Sequence, residues 1–162
     1  MKARIPSHRE FIINFPDSVD NAKANEGWAK LQQIVEDYKK THNGASVYAL
    51  LKKYRPKGIV HCYSGSAEDA EWLAAQGLYF GFGGACTFKG AKRAAKAISA
   101  LPLERIVLET DCPYMAPEPV RGTRCDSSLI RYVGEYIASV KGLSPEEVFR
   151  QTAQNARAVY QL

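Results

Sequence analysis

The feature that most constrains the fold is an alternation of short apolar strand signals and amphipathic helix signals through the second half of the chain. The strand signals fall at 58–63, 78–82 and 105–110, and helical spacing of apolar residues follows each of them. Alternation of this kind with short connections is typical of β/α units, whose strands pair in parallel. The sequence therefore predicts an α/β fold with about three parallel strands and surrounding helices.

Polar residues and glycines mark where the helices should begin and end. Ser66 opens a capping-box pattern before the first helix, which should stop at Gly77. Thr87 is predicted to cap the second helix and Ser144 the last one, with Gly142 ending the helix between them. A chain of 162 residues is long enough to bury the core of one globular domain.

The first 57 residues lack this strand and helix rhythm. Amphipathic helix patterns dominate there, around Trp28 and Leu50, and only Phe11–Ile13 resembles a strand. We therefore predict that the chain consists of a mainly helical segment, 1–57, followed by a β/α portion, 58–162.

Composition narrows the class of protein. No apolar run approaches the ~20 residues of a membrane span, and the N-terminus has no apolar block typical of a signal sequence, so we expect a cytoplasmic protein. The formal net charge of +5 and the pI near 9.0 suit a polyanionic partner. The four cysteines lack the paired spacing of zinc sites, and we expect them to be reduced thiols.

Two polar residues at strand ends are the candidates for chemistry. His61 lies within the first strand signal, and Asp111 follows the third. The carboxyl ends of parallel strands face the ligand side of a sheet, and an imidazole beside a carboxylate suits a divalent metal. The same pattern is compatible with a hydrogen-bonded packing histidine and a turn-capping aspartate. Both interpretations stay open at this level.

Several motifs resemble the signatures of the TatD family of metal-dependent hydrolases, in the family's order. They are His61-Cys-Tyr-Ser-Gly-Ser66, Thr87-Phe-Lys89, Leu108-Glu-Thr-Asp-Cys-Pro-Tyr114, Arg121-Gly122 and Asn155-Ala156-Arg157. The resemblance extends from about Gly58 to Leu162. It implies that the three strands are the last three of a (β/α)₈ barrel, so that the chain forms a partial TIM-barrel-like fold.

The resemblance also implies a function and site residues. His61 corresponds to a metal-binding histidine of the family, and Asp111 to the aspartate that binds metal and handles the attacking water. Arg121 matches an arginine that could contact a substrate phosphate. The implied activity is hydrolysis of phosphodiester bonds in DNA, or of another phosphoester, with divalent metal ions (Mg²⁺, Mn²⁺ or Zn²⁺) as cofactors.

The chain also departs from the family pattern. Nothing in 1–57 reproduces the family's opening His-x-His strand, its bridging glutamate or its other strand-end histidine. His8 and His42 lie in polar, turn-like surroundings, so we expect neither to complete the site. In the loop after the last strand, Cys125-Asp126-Ser127 replaces an Asn-Glu-Pro common in the family. These departures predict a truncated and impaired enzyme.

Two alternatives from other classes of protein remain open. One is a non-catalytic remnant or interaction module derived from the family, because a catalytic metal site usually has three or more protein ligands and the sequence offers two strong ones. The other is a nucleic-acid-binding protein without catalysis, which rests only on the basic charge. Three strands taken from a closed barrel leave two unpaired edges, so self-association or a complementing chain is also expected.

Overall fold

The computed structural model describes Leu51 and residues 55–162, and within them strands alternate with helices. The elements are β1 (Ile59–Val60), α1 (Ala67–Ala75), β2 (Tyr79–Phe82), α2 (Lys92–Ala100), β3 (Ile106–Leu108), α3 (Ile130–Lys141) and α4 (Pro145–Tyr160). Short 3₁₀ turns lie at Gly84–Thr87, Leu103–Arg105 and Ser127–Leu129. No helix in this part of the chain has the length and apolar character needed to cross a membrane. The predictions made for 1–50, including those for His8 and His42, lie outside the described residues.

The described strands form one parallel, three-stranded sheet in the order β1-β2-β3. Ile59 lies opposite Tyr79, and Phe80 lies opposite Ile106. The predicted parallel arrangement is therefore confirmed. In a parallel sheet all carboxyl ends lie at the same edge, so the residues that follow the strands are brought to one side of the molecule.

The first strand is shorter than the sequence pattern predicted. It ends at Val60, and His61 and Cys62 lie in a turn. The chain turns at Cys62, whose φ of 50° belongs to the left-handed region and is incompatible with a continuing strand. His61 is therefore placed just beyond the strand end, where a side chain can face a ligand.

The core lies between this sheet and the helices that pack against it. Among its fully buried side chains are Leu73, Phe80, Phe82, Ile98, Ile106, Ile137 and Val148. The ring of Tyr63 meets Phe80 edge to face, with centroids 5.0 Å apart. Because β2 is the central strand, its aromatic residues join the packing of both neighbouring strands.

Two of the predicted helix caps are confirmed. The hydroxyl oxygen of Ser66 accepts a hydrogen bond from the amide of Asp69 at 3.1 Å, and that of Ser144 accepts one from Glu147 at 3.2 Å. Gly142, with a left-handed φ of 67°, ends α3 as expected. These signals succeed because capping involves only neighbours in the sequence.

The predicted cap of α2 is wrong. The helix begins at Lys92, after Ala91, and has no side-chain cap. The hydroxyl of Thr87 instead donates to the carbonyl of Gly84 at 2.7 Å and accepts from the amide of Glu118 at 2.9 Å. Thr87 therefore ties the loop after β2 to the loop after β3, and its hydroxyl serves that contact in place of a helix start.

Asn155, within a motif of the family resemblance, connects the last helix to the sheet. It is 4% exposed, and its side-chain NH₂ group donates to the carbonyl oxygens of Leu103 and Ile106, both at 2.7 Å. Its own oxygen accepts from Gln151 at 2.9 Å. The residue thus satisfies two carbonyls at the start of β3 and has a structural role.

Replacing Asn155 with alanine should lower the free energy of unfolding by about 1–3 kcal/mol, because the carbonyl oxygen of Ile106 loses a buried donor and that of Leu103 keeps only the amide of Ile106. Urea denaturation followed by tryptophan fluorescence measures this change. The exposed Gln154 on the same helix provides the control, and Gln154→Ala should stay within about 0.5 kcal/mol of wild type. An Asn155→Ala variant as stable as the control would contradict the structural role.

Candidate metal centre

His61 and Asp111 meet at the carboxyl ends of the outer two strands. His61 directly follows β1, and Asp111 lies three residues beyond β3. The Nε2 atom of His61 is 2.9 Å from Oδ1 of Asp111. The prediction that both side chains lie at one end of a parallel sheet, on strands separated by β2, is confirmed. Their roles as metal ligand and catalytic group stay predictions.

Glu109 is a member of the site that the sequence interpretation did not identify. Its Oε2 atom is 2.8 Å from Nδ1 of His61, and its Oε1 atom accepts a hydrogen bond from the amide of Cys62 at 2.6 Å. Glu109 precedes Asp111 by two residues at the end of a strand, a spacing that places both carboxylates on the same side. This spacing is the sequence signal from which Glu109 could have been predicted as a site residue.

The three side chains form a group with the composition of a metal site. His61, Glu109 and Asp111 each offer one ligand atom, and these atoms lie within 4.8 Å of one another. Their side chains are 13%, 15% and 17% exposed, respectively, so water reaches the group only partly. One imidazole and two carboxylates suit Mg²⁺, Mn²⁺ or Zn²⁺.

Asp111 also carries an oxygen that the surrounding protein does not satisfy. Its Oδ2 atom is buried and has no hydrogen-bond partner. A buried carboxylate oxygen without a donor is costly, and a cation is one of the few partners that offsets this cost. The residues present therefore fit a divalent cation, and a purely packing role for the pair leaves this oxygen unexplained.

Hydrogen bonding and burial shift the pKa values of His61 and of the nearby cysteines. The pKa of His61 is raised above its ordinary value, mainly by the hydrogen bond to Glu109, while burial acts in the opposite direction. Because a proton on the ring competes with a metal for the same nitrogen, cation binding should weaken as the pH falls.

Burial, as the largest cause, raises the pKa of the Cys62 and Cys86 thiols to about 12 each. All four cysteines are free, as expected.

Arg121, the predicted substrate contact, lies in the loop after β3. It is exposed, and its guanidinium carbon lies 4.2 Å from the centroid of the Phe88 ring, a cation–π geometry. Phe88 belongs to the loop after β2, next to Thr87. The aromatic ring supports one face of the guanidinium, and the donors at its edge are free of hydrogen bonds to other described residues in this structure.

A cleft of about 420 Å³ opens beside the metal group. Cys62 and Gly83 line it on the side of the site, and Lys92 and Arg93 line it at the start of α2. Both basic residues are exposed. The cleft is large enough for part of a ligand, and its basic residues favour a negatively charged one.

A parallel β/α sheet with a histidine and carboxylates at its carboxyl edge is the arrangement found in metal-binding proteins of the barrel type, and the residues present fit a divalent cation. The chain is a member of the TatD family within that class. The sequence profile of the family, described as TatD related DNase, matches residues 27–161. The matched span begins upstream of the division placed between 1–57 and 58–162, and that division stays a prediction.

Named relatives in bacteria match the same part of the chain. The "Uncharacterized metal-dependent hydrolase YabD" of Bacillus subtilis (strain 168) is 40% identical over 105 residues, which is 65% of this chain and 41% of that protein. The "Uncharacterized metal-dependent hydrolase YcfH" of Escherichia coli (strain K12) is 36% identical over 105 residues, 65% of this chain and 40% of that protein. The matched part of the chain spans about two-fifths of the length of these relatives.

Solved structures show the same fold. YJJV, a TatD homologue from Escherichia coli K12, superposes with a TM-score of 0.67 at 23% identity, covering 91% of this chain and 60% of that chain. A TatD family hydrolase from Entamoeba histolytica gives a TM-score of 0.64 at 19% identity, covering 89% and 58%. The predicted partial TIM-barrel-like α/β fold is therefore confirmed.

Proposed function

We propose that this protein is a divalent-metal-dependent hydrolase of the TatD type that cleaves phosphodiester bonds of DNA. The observation that carries the proposal is the convergence of His61 and Asp111 at the carboxyl edge of the sheet, with Oδ2 of Asp111 buried and unpaired. The names of the relatives, which describe metal-dependent hydrolases, support the reaction class. The family description supports DNA as the substrate.

In this proposal His61 and Asp111 hold the cation. When bound, a divalent cation supplies Lewis-acid polarisation of a phosphoryl oxygen. Asp111 is proposed to orient the attacking water and accept its proton, the role that the family resemblance implies for this aspartate. The partial burial of the three side chains limits competing water, which strengthens each electrostatic contact at the site.

The surroundings of the site fit a polyanionic substrate. Lys92 and Arg93 at the cleft attract phosphates, and the net charge of +5 favours encounter with nucleic acid. Arg121, held over Phe88, is proposed to contact a substrate phosphate through two parallel hydrogen bonds. A second copy or another chain is proposed to pair with the edge of the sheet, because β1 and β3 are its terminal strands in the described part of the chain.

The test is cleavage of a fluorescently labelled single-stranded DNA oligonucleotide by the purified protein in Mg²⁺, Mn²⁺ or Zn²⁺. We expect slow cleavage that a chelator abolishes, because among the described residues His61 and Asp111 supply two ligands, where efficient two-metal sites use more. An RNA oligonucleotide and a simple aryl phosphodiester are run in parallel, to show whether the site prefers DNA.

The result also decides between the proposal and its alternative. Cleavage that survives the chelator would exclude a metal-dependent mechanism. Absence of cleavage in every metal and with every substrate would favour a non-catalytic remnant or interaction module derived from the family. Cleavage of the aryl phosphodiester alone would support a hydrolase but contradict DNA as its substrate.

A further inference from the structure

We propose that Glu109 is a positioning residue that holds the ring of His61 with Nε2 facing the metal position, and that Gly81 is required because it leaves room for this carboxylate. The inference rests on the proposed function, since it concerns the same site. It assigns different roles to the two carboxylates of the group. Asp111 is the ligand, and Glu109 orients the histidine.

The hydrogen bonds distinguish the two carboxylates. Both oxygens of Glu109 are engaged by the protein, Oε2 with Nδ1 of His61 at 2.8 Å and Oε1 with the amide of Cys62 at 2.6 Å. Asp111 places Oδ1 beside Nε2 of His61, while its buried Oδ2 has no hydrogen-bond partner; another group near this carboxylate that could donate is the thiol of Cys62, a weak donor. The carboxylate with a free oxygen is the one suited to bind a cation, and the carboxylate with both oxygens occupied is suited to hold other groups in place.

The contact at Nδ1 determines which ring nitrogen is available. A neutral imidazole carries its proton on one nitrogen and a lone pair on the other. Carboxylates face both ring nitrogens, Glu109 at Nδ1 and Asp111 at Nε2. We infer that Glu109 takes the ring proton, because the amide of Cys62 holds its other oxygen and keeps it at Nδ1, which leaves the lone pair on Nε2. Nε2 is the atom that faces Asp111, at 2.9 Å. Without Glu109 the proton is free to occupy Nε2, the nitrogen needed for the metal.

The turn after β1 is built around the same carboxylate. Cys62 adopts a left-handed φ of 50°, which residues other than glycine rarely adopt. In this conformation its amide points at Oε1 of Glu109. Glu109 therefore binds two consecutive residues, the side chain of His61 and the backbone of Cys62, and fixes both the rotation of the ring and the position of the turn.

Gly81 in the central strand provides the space for this arrangement. A Cβ atom added at Gly81 would overlap the carboxylate of Glu109, with both oxygens and Cδ in close contact. The neighbouring residues Phe80 and Phe82 are fully buried, so the strand has little freedom to move away. A side chain at position 81 would therefore displace Glu109 from His61.

The test compares wild type with Glu109→Gln and Gly81→Ala, and uses the exposed Glu104→Gln as the matched control. Glutamine has the shape of glutamate, but offers one acceptor oxygen to the two donors at His61 and Cys62. Proton–nitrogen correlation NMR of the metal-free protein at alkaline pH locates the ring proton. The signal is assigned by its loss in His61→Gln, because the chain has three histidines.

We expect wild type and the control to carry the proton on Nδ1, and both site variants to shift it towards Nε2. Titration calorimetry with Zn²⁺ should give an affinity about 10- to 100-fold weaker in both variants, the usual effect of losing a group that orients a metal-binding histidine.

Three outcomes would overturn the inference. The first is a wild-type spectrum in which the His61 proton lies on Nε2; this result needs only the wild-type protein and stays decisive if the variants do not fold. A Zn²⁺ affinity unchanged in Glu109→Gln would also do so. Weaker Zn²⁺ binding with an unaltered ring proton would make Glu109 a direct ligand instead. Failure of the proposed function would be recognised separately, as absence of DNA cleavage by a wild-type protein whose spectrum is as expected.

Discussion

Replacing Asp111 with asparagine should reduce metal-dependent cleavage of DNA by about 100-fold or more, the scale expected for loss of a group that moves a proton in the reaction. Asparagine keeps the size of the side chain and one oxygen acceptor, but removes the negative charge and the second carboxylate oxygen. That oxygen, Oδ2, is the buried atom without a hydrogen-bond partner. The measurement is the initial rate on a labelled single-stranded oligonucleotide with excess Mn²⁺, with and without chelator.

The control for this substitution is Asp126→Asn, which changes an exposed carboxylate in the same loop. Asp126 accepts hydrogen bonds from Ser128, and an asparagine oxygen can still accept them, so this variant should keep the wild-type rate. His61→Ala should lose as much activity as Asp111→Asn, and the double variant should lose little more, because the two residues act as one unit. A rate for Asp111→Asn within about threefold of wild type would contradict the catalytic role.

Replacing Phe80 with alanine should lower the free energy of unfolding by about 3–5 kcal/mol. Phe80 has no exposed surface and lies in the central strand. Its ring is the partner of Tyr63 in an edge-to-face contact, with centroids 5.0 Å apart. Alanine would leave a cavity between sheet and helices that the closely packed core fills only in part. Guanidinium denaturation followed by circular dichroism gives the change.

Two further variants bracket the expected loss for Phe80. Phe80→Leu keeps most of the apolar volume and should cost about 1–2 kcal/mol. Lys96→Ala, at an exposed position of α2, should change stability by no more than about 0.5 kcal/mol. If Phe80→Ala were no less stable than Lys96→Ala, the central strand would not be the core element that the structure describes.

The sequence predicted the elements whose causes are local. Ser66 and Ser144 cap helices through amides three residues away, and Gly142 ends a helix by its own conformation, so the pattern contains the whole cause. The parallel order of the strands followed from the alternation with helices, because a crossover helix leaves few other ways to connect them. Placing His61 and Asp111 at one edge required only that order.

The features that the sequence did not reveal depend on contacts between distant residues. Glu109 and His61 are 48 positions apart in the chain, and no local sequence pattern at either residue predicts the hydrogen bond between them. Gly81 resembles an ordinary interruption of an aromatic strand until the carboxylate packed against it is seen. Thr87 has the composition of a helix cap, but the amide of Glu118 competes for its hydroxyl, and tertiary contact overrides local preference.

The hydrogen bond between Thr87 and Glu118 has a consequence for binding. It joins the loops after β2 and β3 partway along the segment from Glu109 to Asp126, and so divides a long loop into shorter ones. A shorter loop samples fewer conformations before a ligand arrives. The stacking of Arg121 on Phe88 restricts the guanidinium further. Arg121 is thereby preorganised: in the proposed role as a phosphate contact, part of the entropy lost on binding is already lost during folding.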